Sequence, residues 1–470
     1  MTVTRRWTVG LPLVAAACVV SLAVVEGQRG GRGAGPGGGR GNQDPNLPDN
    51  PVAVAIPTIS AEVAGPGAIY ESVQSLPPGR DLAHYGYEAH EYFVSGTAAG
   101  KPYKTRIVVR RPKEAADFSG LVLAEAMHPS GSAHLFEYSS DYLMDAGHIA
   151  VEIVAVGVQQ FPEFNAERYA GFSVAGEQVS EVLAQVGALL KQQEGESPLA
   201  SLPVRKMILA GTSATAGVLI RYLPAHRVYR RPGGMEQVYD GYLPHATGAT
   251  VPQVEAPLIQ IPTMTEVAGG NVTARQDSDT PGNQFRLYEF AGMAHVDTRD
   301  SVRFQPDPCR DPVSRFPLQA YVSVALHHLF TWVDTGAVPP RAARILIDRD
   351  VVNDGSVMAL DDHGNAVGGI RNPYVDVPTA QHGVRNEGAD PLIPNPSPWI
   401  AARGQAAANQ MCGLAGFEEV MEDEELSDLY GDRAGYRRKV GARLDELERA
   451  GWSLPVYRDM ILADAAAVEF

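Results

Sequence analysis

The sequence predicts an α/β protein with a doubly wound, mostly parallel sheet covered by helices on both faces. Residues Ile149–Val156 form a near-continuous apolar run, as expected of a strand that is buried on both sides. Strand-like runs alternate along the chain with segments of helical periodicity such as Val174–Gln192. This alternation is typical of parallel strands joined by right-handed crossovers.

Further apolar or alternating runs of strand length complete the predicted sheet: Tyr92–Gly96, Arg106–Arg110, Leu121–Ala124, Val204–Ala210, Tyr239–Leu243, Pro257–Thr263 and Phe285–Phe290. A helix follows over Leu318–Val333, where apolar residues have helical spacing and Gly336 provides a stop. We therefore expect the α/β core to occupy residues 51–343.

The pattern changes after this core. Arg344–Asp348 and Asp354–Leu360 predict a hairpin, and Arg433–Ala450 predicts an amphipathic helix that Gly451 ends. Residues 344–470 are therefore expected to form a C-terminal extension, a hairpin plus helices, packed on the core.

Residues Lys206–Ala216 read KMILAGTSATA, an apolar run that stops at Gly211, presents Ser213 and continues into helix-compatible sequence. This is the layout of a nucleophile elbow, in which a sharp strand-to-helix turn exposes a serine hydroxyl. Thr215 replaces the second glycine of the G-x-S-x-G pattern. The match alone is weak, because the chain contains 48 glycines and Gly-x-Ser is common in such a sequence.

Two later turns strengthen the prediction. The strand Phe285–Phe290 runs into a small-residue turn that ends in His295, and Pro257–Thr263 leads directly to Glu266. The order serine, acid, histidine is that of serine hydrolases with the α/β-hydrolase fold. Three other carboxylates stay open as the acid: Asp277, Asp279 and Asp297.

The sequence resembles a family of exported bacterial proteins with a large alpha/beta hydrolase domain, most of them esterase-like. The resemblance rests on EYFVSGTA (Glu91–Ala98), TRIVVRRP (Thr105–Pro112), GTSATA (Gly211–Ala216), PLIQIPTMTEV (Pro257–Val267), AGMAHVDT (Ala291–Thr298) and DDHGNAVGGIRNPYVDVPTA (Asp361–Ala380). It implies an α/β-hydrolase fold. The family elbow usually has Gln and Ser where this chain has Ala214 and Thr215. Its acid turn usually carries two carboxylates, and the single one here points to Glu266.

The expected chemistry follows from these residue types. Ser213 attacks a carbonyl carbon, and His295 takes the hydroxyl proton as general base. Glu266 accepts the other imidazole N–H, which fixes the tautomer and stabilises the imidazolium.

The oxyanion that develops in this reaction needs two N–H donors. One is expected from the backbone of Ala214, which follows the nucleophile, and the other from the loop after Leu121–Ala124. Pro129 in that loop has no N–H, so the backbone amide of Met127 or His128 is the predicted second donor.

The sequence therefore predicts a serine esterase that acts on a small-molecule or polymeric carboxylic ester. Two alternatives stay open: a binding protein that keeps the fold without the reaction, and an amidase with the same nucleophile. No phosphate loop or dinucleotide fingerprint is present, so no cofactor is expected. His128 and His134 lack a clear third ligand, so no metal is expected either.

Charge argues against a nucleic-acid partner. The segment Gly27–Gln43 carries Arg-Gly repeats of a kind that can bind single strands. However, 39 Lys and Arg stand against 55 Asp and Glu, a formal net charge of −16. An acidic body repels a polyanion, so no nucleic acid is expected.

The N-terminus predicts export. Arg5 and Arg6 precede an apolar stretch, Trp7–Val25, which indicates a signal peptide over residues 1–26 and then a Gly/Arg-rich linker over residues 27–50. We expect a periplasmic or secreted protein with no stable membrane association after cleavage. The alternative is an uncleaved membrane anchor, since the stretch approaches the roughly 20 residues that span a bilayer.

Removal of the signal would leave two cysteines, Cys309 and Cys412. An exported protein can pair such residues. The sequence leaves open whether they form a bridge or two buried free thiols, because that depends on a Cα separation below about 7 Å.

Overall fold

The computed structural model describes residues 47–270, 272–348 and 356–470. The predicted signal peptide (residues 1–26) and all but the last residues of the predicted linker (27–50) lie outside these ranges. Among the described helices, none has both the length and the apolar composition needed to cross a membrane.

The strands are β1 (Val52–Ala53), β2 (Thr58–Ile59), β3 (Tyr87–Ala98), β4 (Lys101–Pro112), β5 (Leu121–Ala126), β6 (Ile149–Ile153), β7 (Lys206–Thr212), β8 (Tyr229–Arg230), β9 (Gly241–His245), β10 (Leu258–Gln260), β11 (Phe285–Leu287), β12 (Ala380–Gly383) and β13 (Phe417–Val420). Within the described residues, nine of them form the main sheet in the order β11-β10-β9-β7-β5-β6-β4-β3-β2. Strands β5, β6, β7, β9, β10 and β11 pair in parallel, and β2, β3 and β4 add an antiparallel edge. The mostly parallel sheet confirms the predicted fold class.

The α-helices are α1 (His134–Glu137), α2 (Ser140–Asp145), α3 (Gln160–Phe164), α4 (Val179–Leu190), α5 (Ala214–Tyr222), α6 (Met264–Ala268), α7 (Leu318–Thr335), α8 (Pro373–Asp376), α9 (Pro398–Arg403), α10 (Gln405–Ala415), α11 (Asp423–Tyr430), α12 (Arg433–Ala450) and α13 (Arg458–Ala467). They cover both faces of the sheet. Side chains of β5 alternate between two cores, because Val122 packs with α4 and α5 whereas Leu123 packs with α2 and α7.

The C-terminal extension shares the second of these cores. Leu444 of α12 and Ile461 of α13 belong to the same buried cluster as Leu326 of α7. In place of the regular hairpin expected near the start of the extension, isolated antiparallel bridges join Ile347 to Met358 and Ile345 to Gly368. Residues 349–355, which comprise the expected turn and the first two residues of the expected second strand, lie outside the described ranges.

A buried carboxyl group on β5 fixes the start of α1. Glu125 is 2% exposed, and its two oxygens accept the N–H groups of Leu135 (2.7 Å) and Phe136 (3.0 Å). N–H groups in the first turn of a helix have no acceptor within the helix, so Glu125 supplies one. Desolvation by burial raises the pKa of Glu125 to about 8. The loop between β5 and α1 is thereby held at both ends.

We expect Glu125→Gln to lower the free energy of unfolding by about 1–3 kcal/mol at pH 5, because the new amide NH2 faces a backbone N–H. The folded pKa is raised above that of the unfolded chain. The contribution of protonated Glu125 to the free energy of unfolding is therefore at its maximum below the pKa of the unfolded chain. It is lost as pH rises through about 8. In denaturant titrations, the difference in free energy of unfolding between wild type and variant should become smaller as pH is raised from 5 to 8.5. A difference that does not change with pH would contradict this account.

Candidate active site

Ser213 lies in a strained turn between β7 and α5. Its backbone has φ 52° and ψ −116°, a left-handed conformation that is unfavourable for a residue with a Cβ. A Cβ at Gly211 would lie 2.3 Å from the Thr215 carbonyl oxygen, so strand and helix pass too closely for any other residue. The local geometry is that of the predicted nucleophile elbow.

Thr215 stabilises this turn from inside. Its buried Oγ1 donates to the Thr212 carbonyl oxygen and accepts from the Thr212 N–H, both at 3.0 Å. The departure from G-x-S-x-G is therefore accommodated by two side-chain hydrogen bonds across the turn.

A continuous hydrogen-bonded series joins the three residues that the sequence singled out. His295 Nε2 lies 2.9 Å from Ser213 Oγ, and His295 Nδ1 lies 2.7 Å from Glu266 Oε1. Glu266 is on α6 just after β10, and His295 is in the loop that follows β11. Because β7, β10 and β11 belong to the parallel part of the sheet, their carboxyl ends meet at one edge.

The carboxylate of Glu266 is held by the N-terminus of α6 as well as by His295. Its Oε2 accepts from both the N–H (2.7 Å) and the Oγ1 (2.8 Å) of Thr263, which forms a capping box. Burial by itself would raise the pKa of Glu266. The positive charge and hydrogen bond of His295, with the Thr263 bonds, outweigh burial and lower that pKa. The carboxylate is therefore ionised at neutral pH.

The three rival carboxylates are engaged elsewhere. Asp277 accepts from the Leu287 N–H, Asp279 pairs with Arg286 and Arg341, and Asp297 accepts from the Arg299 N–H. In the described part of the chain, none of them hydrogen-bonds His295.

The C-terminal extension contacts the histidine loop. The backbone N–H of His295 donates to the Leu414 carbonyl oxygen (3.1 Å) at the end of α10. Cys309 and Cys412 form a disulfide with a Cα separation of 5.5 Å, which answers the question that the sequence left open. The bridge ties the loop after His295 to the helix that supports it.

The loop after β5 differs from the prediction in one respect. The Met127 N–H donates to the Ile153 carbonyl oxygen (2.9 Å), and the His128 N–H donates to the Ser132 carbonyl oxygen (3.1 Å). The prediction that one of these amides is a free oxyanion donor is therefore wrong, because parallel pairing uses the first and a tight turn uses the second. Ala214, by contrast, is the first residue of α5, where a backbone N–H has no acceptor within the helix.

The side chain of His128 offers a donor that its backbone does not. Its Nδ1 accepts from the Ser130 N–H at 3.1 Å, so the ring proton is assigned to Nε2. Desolvation, with the nearby charges of His134, Arg303 and His295, holds the pKa of His128 well below its usual value. The ring is neutral at pH 7 and carries one N–H.

With this geometry established, comparison with known proteins identifies the family. The sequence model described as "alpha/beta hydrolase domain" matches residues 52–463. The chain belongs to the alpha/beta hydrolase domain family. No curated protein gives a significant match.

Solved structures similar to this alpha/beta hydrolase include several enzymes. One is a cold-adapted esterase from an Arctic intertidal metagenomic library, with 15% identity over 43% of this chain and 84% of that chain, and a TM-score of 0.25. Another is oligopeptidase B from Leishmania major, with 12% identity over 55% of this chain and 38% of that chain, and a TM-score of 0.32.

Sequence reasoning missed two features near the candidate site of this hydrolase. The support from Leu414 had no local signal beyond the cysteine nearby, and the His128 ring was considered only as a possible metal ligand. His128 and His134 lie with ring centroids 5.1 Å apart. Over the described ranges, no group of three or more His, Cys, Asp or Glu residues is arranged to hold a metal ion.

Proposed function

We propose that this alpha/beta hydrolase is a serine esterase that cleaves carboxylic esters through an acyl-enzyme intermediate. The observation that carries the proposal is the unbroken series from Glu266 through His295 to Ser213, with the serine on a strained turn. Family membership supports hydrolysis in general, and the site residues specify how it proceeds. The proposal includes export, on the pattern of residues 1–26, and a small-molecule or polymeric ester as substrate.

The reaction begins when Ser213 Oγ attacks the ester carbonyl carbon and its proton passes to His295 Nε2, 2.9 Å away. Ionised Glu266 stabilises the imidazolium that forms. His295 then returns the proton to the departing alkoxide, so the alcohol leaves and the acyl group stays on Ser213. Water, activated by the same imidazole, releases the acid and restores the serine.

The tetrahedral intermediate carries negative charge on the former carbonyl oxygen. Ala214 offers its N–H at the N-terminus of α5, where the helix dipole also favours an anion. Since the backbone amides of Met127 and His128 are occupied, the second donor in this proposal is the Nε2–H of the His128 ring. Its neutral state keeps that proton available without adding charge.

Removal of the His128 donor should reduce turnover. We expect His128→Leu to lower kcat about 100-fold with a small change in KM, because an oxyanion donor acts mainly in the transition state. His128→Gln, which retains an N–H near the same position, should recover part of that loss. Steady-state kinetics on one p-nitrophenyl ester would check both variants. Equal losses in the two variants would assign His128 a packing role instead.

The function itself is tested with p-nitrophenyl esters of short to medium acyl chains, together with the matching p-nitroanilides. Turnover of esters well above that of anilides is the expected result, with an optimum chain length that measures the acyl pocket. A folded protein that hydrolyses no ester in the series would overturn the proposal, and faster cleavage of the anilides would make it an amidase.

A further inference from the structure

Beside the loop that carries His128 lies an arginine that no carboxylate of the described residues neutralises. We propose that Arg303 forms a subsite for a carboxylate carried by the ester substrate, an inference that rests on the proposed esterase function. Arg303 is half-buried. Within the described residues, its side chain donates a hydrogen bond to Ser132 and forms no ion pair.

The position of Arg303 is set by the loop after β5. Its Nη2 donates to Ser132 Oγ at 2.7 Å, and Ser132 is buried, with its carbonyl oxygen accepting the His128 N–H. Arg303 itself follows His295 in the loop after β11. The guanidinium therefore bridges the loop that carries the proposed base and the loop that carries the proposed oxyanion donor.

The charge of Arg303 also acts on the rings of His128 and His134. After desolvation, charges from both Arg303 and His295 contribute to the lowered pKa values of His128 and of His134. Together with the hydrogen bond to Ser132, this places Arg303 near the two histidines that border the loop after β5. In this proposal, a substrate whose oxyanion meets the His128 ring extends toward Arg303.

Two other arginines of this loop region are neutralised, and a third, Arg315, is exposed to solvent. Arg299 forms two hydrogen bonds of 2.7 Å with Asp464, and Arg310 pairs with Asp311 and Glu387. Arg303 has five N–H donors and uses one of them on Ser132.

A guanidinium with free donors, partly shielded from water, binds carboxylates through charge-assisted hydrogen bonds. Glu137, at the end of the helix that follows the His128 loop, is already engaged by His134 and by the N–H groups of Gln74 and Ser75. In a chain with a net charge of −16, an arginine that forms no ion pair with a described carboxylate and that contacts the His128 loop favours an anionic substrate.

Matched substrates test this inference. The anionic probes are p-nitrophenyl hemisuccinate, with its carboxylate on the acyl side, and 4-acetoxybenzoate, with its carboxylate on the alcohol side. Their neutral partners are p-nitrophenyl butyrate and phenyl acetate. We expect Arg303→Met to lower kcat/KM about tenfold for at least one anionic probe. This loss lies between that of a solvent-exposed ion pair and that of a fully desolvated one. Both neutral partners should change less than about threefold.

Two controls sharpen the result. Arg303→Lys keeps the charge but loses the planar donor pair, so it should recover part of the activity on the anionic probe. Arg315→Met removes the same charge from an exposed position of the same loop and should leave all four substrates unchanged. The preference of the wild type for the anionic probe should also weaken as salt is raised from 0.05 to 0.5 M.

Equal losses of Arg303→Met on anionic and neutral esters would overturn the subsite and make the arginine a structural link between the loops. No change on any substrate would overturn it as well. Failure of the proposed esterase function can be distinguished from failure of the subsite, because the wild type would then hydrolyse none of the four esters. Turnover of neutral esters without an effect of Arg303 on anionic ones refutes the subsite alone.

Discussion

Replacement of Ser213 by alanine is expected to abolish ester hydrolysis, with kcat lowered by about 10⁵-fold or more. The hydroxyl is the atom that forms the acyl-enzyme, and His295 Nε2, 2.9 Å away, then has no proton to accept. Alanine can occupy the same left-handed backbone position with a similar strain. The loss should therefore appear with an almost unchanged melting temperature.

The measurement is initial-rate hydrolysis of a p-nitrophenyl ester, with thermal unfolding of the same samples. Ser427→Ala, on the exposed side of α11, removes a hydroxyl far from the proposed chemistry and should keep full activity. Retention of activity within tenfold by folded Ser213→Ala would exclude this serine as the nucleophile.

The second large effect is expected at the acid. Glu266→Gln should lower kcat by roughly 10³- to 10⁴-fold, because an amide neither fixes the imidazole tautomer nor stabilises the imidazolium by charge. The new NH2 group also replaces an acceptor that Thr263 uses twice. Steady-state kinetics on the ester used for Ser213→Ala would measure the loss.

The pH dependence of this effect follows from the lowered pKa of Glu266. The wild-type carboxylate stays ionised through neutral pH, so titration of Glu266 itself should not change the ratio of wild-type to variant kcat/KM between pH 6 and pH 8. The ratio should shrink only as pH falls through the lowered carboxyl pKa, where the wild type also becomes neutral. Kinetics from pH 4 to pH 8 would show this.

The rival acids provide the controls. Asp297→Asn and Asp277→Asn should change kcat by less than about tenfold, since both carboxylates bond backbone N–H groups away from His295. A loss of several orders of magnitude in Asp297→Asn, with Glu266→Gln nearly active, would transfer the role of acid to Asp297.

Much of this arrangement could be predicted because it depends on short-range patterns. Apolar runs and the turns after them located β7, β10 and β11, and in a parallel sheet such turns gather at one edge. Ser213, Glu266 and His295 are therefore adjacent in space although far apart in the chain. Their catalytic roles stay predictions.

The remaining features depend on partners that local sequence does not specify. The Met127 amide is used by β6 and the His128 amide by a tight turn, and neither engagement is visible in the loop's composition. Leu414, which contacts His295, lies in α10. This helix is joined to the loop after His295 by a disulfide between cysteines that are 103 residues apart in sequence. An unpaired Arg303 can be recognised only when the positions of all the carboxylates around it are known.

The central claim is that Ser213 is a nucleophile activated by the series through His295 and Glu266. The most direct test is reaction of the purified protein with an organophosphonate, followed by mass spectrometry of the labelled peptide. We predict one equivalent of label on Ser213, none on Ser213→Ala and much slower labelling of Glu266→Gln. Labelling at another residue, or no labelling of a folded wild type, would contradict the claim.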